Sequence, residues 1–189
     1  MSPDITIRKA TRDDAEFLAL GFLTAMWVDE KKIPGILAFF KTFAERDDTL
    51  YSWRNAYIAT YNGEDAGVLI SYDGAIYKEA ALITFTLLKE ANGEDYTQMT
   101  QEAIPGEWYL DTLAVMPQYR RKGIARALLL HGIMLAKECE DTSLVTLYVD
   151  AEHPWVVDLY SSMGFQTSGE AFIFNQMFTK MSQSALKAQ

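Results

Sequence analysis

Apolar and polar positions along this chain change period several times, and each change marks an element. Ile5-Thr6-Ile7-Arg8 alternates, as one face of a strand does. Thr11-Arg12-Asp13-Asp14 follows, with Thr11 or Asp13 as a helix N-cap. Phe17, Leu18, Leu20, Phe22 and Leu23 then supply the apolar surface of a helix from about Asp14 to Val28. Pro34 opens a second helix to about Ala44 that is apolar on most sides, suited to a deep core or to lining a cavity. Ala56–Tyr61 and Ala66–Tyr72 read as strands around Asn62-Gly63, a strong hairpin turn signal.

The region 75–106 is less regular. Ala80–Glu90 suits a helix, Asn92-Gly93 a turn, and Tyr96–Ala103 a second short helix. An apolar strand follows over Tyr109–Val115 and ends at Pro117, which cannot donate to a sheet ladder. Helical sequence begins at Ile124 and continues to about Cys139. Thr142–Val149 is a strand, Pro154 starts a helix ending near Met163-Gly164, and Phe172–Lys180 reads as the last strand. The polar sequence from Ser182 is expected to fray.

Composition narrows the class. The chain has 189 residues with 49% apolar content, which suits one globular domain rather than a disordered chain. No apolar run reaches membrane-spanning length, and the N-terminus has no apolar signal-peptide core. A lone Cys139 excludes an intrachain disulfide framework and, flanked by Glu138 and Glu140, reads as structural. These features lead us to expect a cytoplasmic protein. A net charge of −9 argues against nucleic acid as a partner and favours cationic ones such as amines. No metal-ligating set is expected.

Against that acidic background, Arg120, Arg121, Lys122 and Arg126 cluster where Gly123 permits a tight turn into a helix. A helix N-terminus presents unpartnered N–H groups and partial positive charge. Basic side chains are poor company for that end unless an anion is bound there, so the turn suits a phosphate site. A solvated basic turn that happens to precede a helix has the same composition.

Arg120-Arg121-Lys122-Gly123-Ile124-Ala125 resembles the Arg/Gln-x-x-Gly-x-Gly/Ala signature of the GCN5-related N-acetyltransferases. Leu113-Ala114-Val115-Met116-Pro117 resembles the strand before that signature, and Leu159-Tyr160-Ser161-Ser162-Met163-Gly164-Phe165 the family's later Leu-Tyr-x-x-x-Gly-Phe run. The resemblance extends from about Ile5 to about Lys180 and implies an α/β fold: a mixed, mostly antiparallel sheet flanked by helices and splayed at strands 4 and 5. It implies a single acyl-CoA N-acyltransferase domain over 1–189, with 75–106 an insertion and 182–189 a tail. The insertion is expected either to cover the acceptor site or to serve packing or a homodimer contact.

The activity implied is transfer of an acetyl group from acetyl-CoA to a small-molecule or peptide amine, by direct attack in a ternary complex. A non-catalytic coenzyme A-binding or regulatory module, and an acyltransferase with another acyl-CoA or acceptor, are the alternatives. By resemblance, Arg121, Lys122, Gly123, Ile124, Ala125 and Arg126 bind the cofactor pyrophosphate through their amides, with Arg120 at the first signature position. Leu113 and Val115 pair with the pantetheine arm, the Val115 N–H serving as oxyanion donor. Tyr160 matches the family's general acid. His153 stands where the family often has Asn, so its backbone role carries over and its side-chain role is open, including that of a proton shuttle. Tyr109 aligns with a frequent catalytic carboxylate, which breaks direct carry-over. Glu107 and Asp111, on the same strand face by alternation, are the remaining base candidates.

Overall fold

The Asn62-Gly63 turn sets the first half of the sheet. Both residues are left-handed, at φ 52° and 88°, as a two-residue hairpin requires. A computed structural model describes residues 4–150, 153–174 and 176–185. The strands are β1 (Ile5–Lys9), β2 (Ala56–Tyr61), β3 (Glu64–Asp73), β4 (Glu107–Val115), β5 (Leu144–Asp150), β6 (Gln166–Ile173) and β7 (Gln176–Ser184). The helices are α1 (Ala15–Ala25), α2 (Ile33–Glu45), α3 (Tyr77–Asn92), α4 (Ile124–Glu138) and α5 (Pro154–Ser162). The seven strands are ordered β1-β2-β3-β4-β5-β7-β6. Neighbours β1/β2, β2/β3, β5/β7 and β6/β7 are antiparallel, whereas β4 and β5 are parallel. The expected mixed, mostly antiparallel α/β sheet is therefore present. Among the described residues the β4–β5 ladder covers Glu107↔Leu144 to Tyr109↔Thr146, although the strands run on to Val115 and Asp150.

The chain forms two compact units. The first takes the chain up to Ser71 together with Asp111–Gly132; the second takes Tyr72–Leu110 together with the chain from Ile133. In the first unit, β3 from Ala66 through Ser71 is buried without alternation, as a central strand covered on both faces should be. Close packing demands small residues there. A Cβ on Gly67 would lie 2.9 Å from the Ala114 carbonyl oxygen and 3.0 Å from Ile124, so only glycine lets β3 approach β4 and α4 this closely. Thr11 caps the chain's entry into α1, with Asp14 closing a capping box. Asp14 also takes a two-pronged contact from Arg8, at 2.8 Å on each oxygen. Those bonds hold the Asp14 carboxyl down near about 2.

The second unit departs from the sequence reading in specific ways. The helix expected over Tyr96–Ala103 is absent. Asp95 instead accepts the Thr97 N–H at 3.0 Å, a side-chain turn that competes with helix formation. Tyr96 is drawn into a ring cluster with Phe85 of α3 and with Phe174, at centroid distances of 6.3 and 5.0 Å. The single last strand expected over Phe172–Lys180 is two strands, β6 and β7, reversing near Phe174 at φ 47°. Polar Gln166–Glu170 and Ser182–Ser184 hid their ends, because exposed strand positions carry no hydrophobic mark. The stretch expected to fray is paired at its start: Ser182 and Ser184 oppose Thr146 and Leu144, and the Ala185 N–H bonds the Ser143 carbonyl at 2.9 Å. The remainder of that tail, 186–189, lies outside the described residues. The first helix also ends earlier than expected, at Ala25 rather than Val28, with Trp27 left-handed at φ 54°.

Candidate active site

Chemistry concentrates at one place in each unit. In the first, β4 ends where the Met116 N–H bonds the Ala66 carbonyl at 2.9 Å, and Pro117–Tyr119 make a single tight turn. Arg121 then adopts φ 64° and Gly123 φ 85° before α4 begins. A left-handed conformation at Arg121 costs a side-chain-bearing residue about 1 kcal/mol, a cost of the kind concentrated at ligand-binding turns. The first backbone bond of α4 runs from the Ala127 N–H to the Gly123 carbonyl at 3.0 Å. The Ile124, Ala125 and Arg126 amides precede that bond, so the helix supplies them with no carbonyl acceptor.

The side chains leave this amide cradle open. A Cβ on Gly123 would have nothing within 4 Å, so no packing demand explains the glycine; its backbone angle and the clear space above it do. Arg120 turns aside, its Nε 3.4 Å from the Val115 carbonyl oxygen and its guanidinium 5.9 Å from the Trp27 ring centre. Lys122 lies over the Tyr61 ring at 4.9 Å. Arg121 and Arg126 are exposed. Leu113 and Val115 are half-buried on β4, with Ala114 buried between them. The turn thus brings together Arg120–Arg126 as the sequence predicts, and its donor set fits a diphosphate: oriented amides, a helix N-terminus and flanking cations. Beside it lies a groove of about 320 Å³, whose mostly apolar wall includes Phe17, Leu20, Ile33, Pro34, Met116 and Pro117.

In the second unit the predicted acid and base candidates meet different fates. Tyr160 of α5 is 8% exposed, its ring 5.9 Å from Phe165, and burial pushes its phenol up to about 12. Glu107 is buried and engaged: the Lys180 ammonium lies 2.7 Å from one oxygen, and the Thr146 hydroxyl donates to the other at 3.3 Å. A carboxylate neutralised in this way is a structural partner rather than a ready base. His153 stands at the start of α5 with Nδ1 3.2 Å from an Asp150 oxygen. Cys139, half-buried with its Sγ 3.7 Å from an Asp73 oxygen, shows no nucleophilic setting. Asp111, the third candidate, lies in the first unit and accepts the Thr112 hydroxyl at 2.9 Å.

The residue that sequence reasoning missed is Glu102. Its Oε1 accepts the Tyr77 hydroxyl at 2.9 Å and its Oε2 the Tyr109 hydroxyl at 2.6 Å. Tyr109 is the strand position where a carboxylate was sought. The structure instead places a carboxylate from the 75–106 segment on that tyrosine's oxygen. Tyr72 and Tyr148 flank Tyr109 edge-on at 5.8 and 6.2 Å. The Tyr148 phenol is raised by burial and by the charges of Glu102 and Glu107. Nothing local marks Glu102, which lies in a stretch whose spacing reads as a short helix and which the structure shows as irregular.

The mixed sheet, with β4 and β5 parallel, and the basic turn leading from β4 into α4 describe an α/β scaffold with an open, glycine-containing turn at a helix N-terminus. Comparison with known proteins makes the class definite. Residues 37–165 match the model of the Acetyltransferase (GNAT) family, and the chain belongs to that family. Solved structures share the fold. An acetyltransferase crystal structure is 23% identical, with TM-score 0.72, over 95% of this chain and 99% of the other. An N-acetyltransferase from Staphylococcus aureus Mu50 is 20% identical, with TM-score 0.74, over 94% and 100%. The NatC complex bound to Gag peptide and CoA contains a chain 18% identical, with TM-score 0.59, over 96% and 98%. A search of curated proteins found no significant match. Among the described residues, no helix is long and apolar enough to cross a membrane.

Proposed function

We propose that this chain is a cytoplasmic N-acetyltransferase that moves an acetyl group from acetyl-CoA to an amine, with both substrates bound together. The observation that carries this reading is the turn at Arg121 and Gly123, left-handed at both residues and leading into the α4 amides that precede that helix's first backbone bond. Family membership and the coenzyme A in one structural neighbour support the choice of ligand. When bound, acetyl-CoA supplies the acetyl group already activated as a thioester.

The chain's own residues then have separable tasks. Amides of residues 121–126 bind the diphosphate, and Arg120 and Lys122 add positive charge beside it. The half-buried backbone at Leu113 and Val115 lines up the pantetheine arm, and the Val115 N–H donates to the acyl oxygen. Tyr160, with its phenol near about 12 against a thiol of about 8.5, stays protonated and donates a hydrogen bond to the leaving sulfur rather than surrendering its proton outright. His153, with an Asp150 oxygen 3.2 Å from its Nδ1, stands at the start of α5. Holding both reactants in register supplies much of the rate without a covalent enzyme intermediate. The chain's net charge of −9 favours a cationic amine over an anionic acceptor.

Calorimetric titration of the folded protein with acetyl-CoA, free CoA and ADP tests the reading. Dissociation constants of about 1 μM for acetyl-CoA and CoA, near −8 kcal/mol, with weaker ADP binding, are expected. No heat of binding from any of the three would overturn it.

A further inference from the structure

We propose that the groove between α1, the start of α2 and the chain just after β4 receives the body of the acceptor, and that the acceptor is a small primary amine with an apolar body. The inference rests on the N-acetyltransferase reading and names the substrate class which that reading leaves open. Groove and cofactor turn belong to one compact unit, the first. Met116 and Pro117 line the groove. They directly follow Val115, whose N–H the reading gives to the acyl oxygen, and they come just before the basic turn that starts at Arg120. Leu113, Val115 and Arg120–Arg126, the first-unit positions assigned to the cofactor, are not among the lining residues. Groove and cofactor positions thus adjoin along one stretch of chain without sharing a residue, as sites for two reactants held together require.

The walls of the groove are fixed by packing. A Cβ on Gly21 would lie 2.6 Å from a Val68 methyl, so glycine lets α1 settle closely on β3. Phe22 of α1 packs on Phe40 of α2 with ring centres 5.1 Å apart, which ties the two helices together. From these helices Phe17, Leu20 and Ile33 face the groove and are only half-buried, although apolar. The Thr24 hydroxyl donates to the Leu20 carbonyl at 2.7 Å, so it is engaged within its own helix. Apolar surface held open to water in this way gains stability when a ligand's methylenes cover it. The volume of about 320 Å³ lies at the lower end of the range for ligand pockets, which suits a small molecule.

Charge decides which small molecule. Among the described residues, the charged ones lining the groove are Glu30 and Asp65, both acidic. Glu30 is exposed and Asp65 half-buried. Arg8 reaches Asp65 at 3.0 Å but also Asp14 at 2.8 Å, so this one guanidinium serves two carboxylates. Lys31 and Lys32, next to Glu30 in sequence, are exposed and do not line the groove. Acidic side chains on an apolar wall attract an alkylammonium ion and repel an acceptor that carries a carboxylate. The two carboxylates serve recognition, and the ammonium still sheds one proton to solvent before its nitrogen attacks.

The test measures thiol release from acetyl-CoA with n-propylamine, n-butylamine, n-pentylamine and n-hexylamine, and with 6-aminohexanoate, at a single pH. The expected result is a rise in kcat/KM of about fourfold for each added methylene, the ratio that a buried methylene supplies. The carboxylate-bearing 6-aminohexanoate should fall about tenfold or more below n-hexylamine. Leu20→Gln should flatten the series to less than about twofold per methylene, with calorimetric affinity for acetyl-CoA unchanged. Glu30→Gln, at an exposed position, should narrow the gap between n-hexylamine and 6-aminohexanoate. A flat or falling series in the wild type would overturn the proposal, as would equal turnover of 6-aminohexanoate and n-hexylamine or an unchanged gap in Glu30→Gln. Weakened acetyl-CoA binding in folded Leu20→Gln would give the groove to the cofactor and overturn it too. So would a wild type that binds acetyl-CoA and releases no thiol above the blank with any of these amines. Should Leu20→Gln fail to fold, the wild-type series and Glu30→Gln decide the matter. Absence of acetyl-CoA binding to the wild type is a different failure, that of the N-acetyltransferase reading itself.

Discussion

The basic turn of the first unit and the tyrosine–carboxylate cluster of the second are built on opposite plans. The turn spans a few consecutive residues, is exposed, and leaves its α4 amides without helical acceptors. The cluster joins residues far apart in sequence, is largely buried, and satisfies its polar atoms internally through Tyr77, Glu102, Tyr109, Glu107 and Lys180. One plan waits for a ligand and the other organises side chains before any ligand arrives. Mutations should therefore separate them: turn variants lose binding and keep stability, whereas cluster variants lose stability or turnover and keep binding.

Gly123→Glu gives the largest expected effect. It places a side chain and a negative charge where the backbone faces open space, at φ 85°. Acetyl-CoA affinity should fall about a thousandfold, near 4 kcal/mol, while the left-handed backbone costs only about 1 kcal/mol of stability. Calorimetry and thermal unfolding of the same sample check both halves. Next is Lys180→Met, which strands the buried Glu107 carboxylate. Chemical denaturation should show a loss of about 3 kcal/mol, with most of it restored in Lys180→Met/Glu107→Gln. A double variant no better than the single one would show that the pair is not a unit.

Tyr160→Phe comes third. Turnover should drop about tenfold with unchanged acetyl-CoA affinity, since the phenol acts by hydrogen bonding to sulfur. With its phenol near about 12, Tyr160 should also give no alkaline limb below about pH 11. The smallest effect belongs to Asp14. Its folded-state carboxyl lies near about 2, below the usual value of 3.8, so its contribution is present at neutral pH and is lost as pH falls through about 2. Asp14→Asn should cost about 1 kcal/mol at pH 7 by urea titration, allowing for solvent screening, and correspondingly less at pH 2.

The same contrast explains what could be read from the sequence. The hairpin at Asn62-Gly63, the strand ending at Pro117, the basic turn and α4 were legible because each is marked by adjacent residues whose backbone preferences agree. That the sheet is mixed was legible only through resemblance, and the parallel β4–β5 pairing comes from the structure. Glu102 was not legible at all. Its partner Tyr77 lies 25 residues away, and the Glu107–Lys180 contact spans 73 residues, so neither leaves a local pattern. The false helix at Tyr96–Ala103 arose because Tyr96 and Met99 mimic helical spacing, although they serve ring and sulfur contacts with Phe174. The missed β6–β7 hairpin has polar outer positions that periodicity does not register.

The most direct test of the central claim is an amide-resolved NMR titration of the 15N-labelled protein with acetyl-CoA. The account predicts that amides of residues 121–126 shift first and most, that they saturate together, and that ADP reproduces the shifts. Saturating binding that leaves those amides unmoved would contradict the assignment of this turn as the diphosphate site.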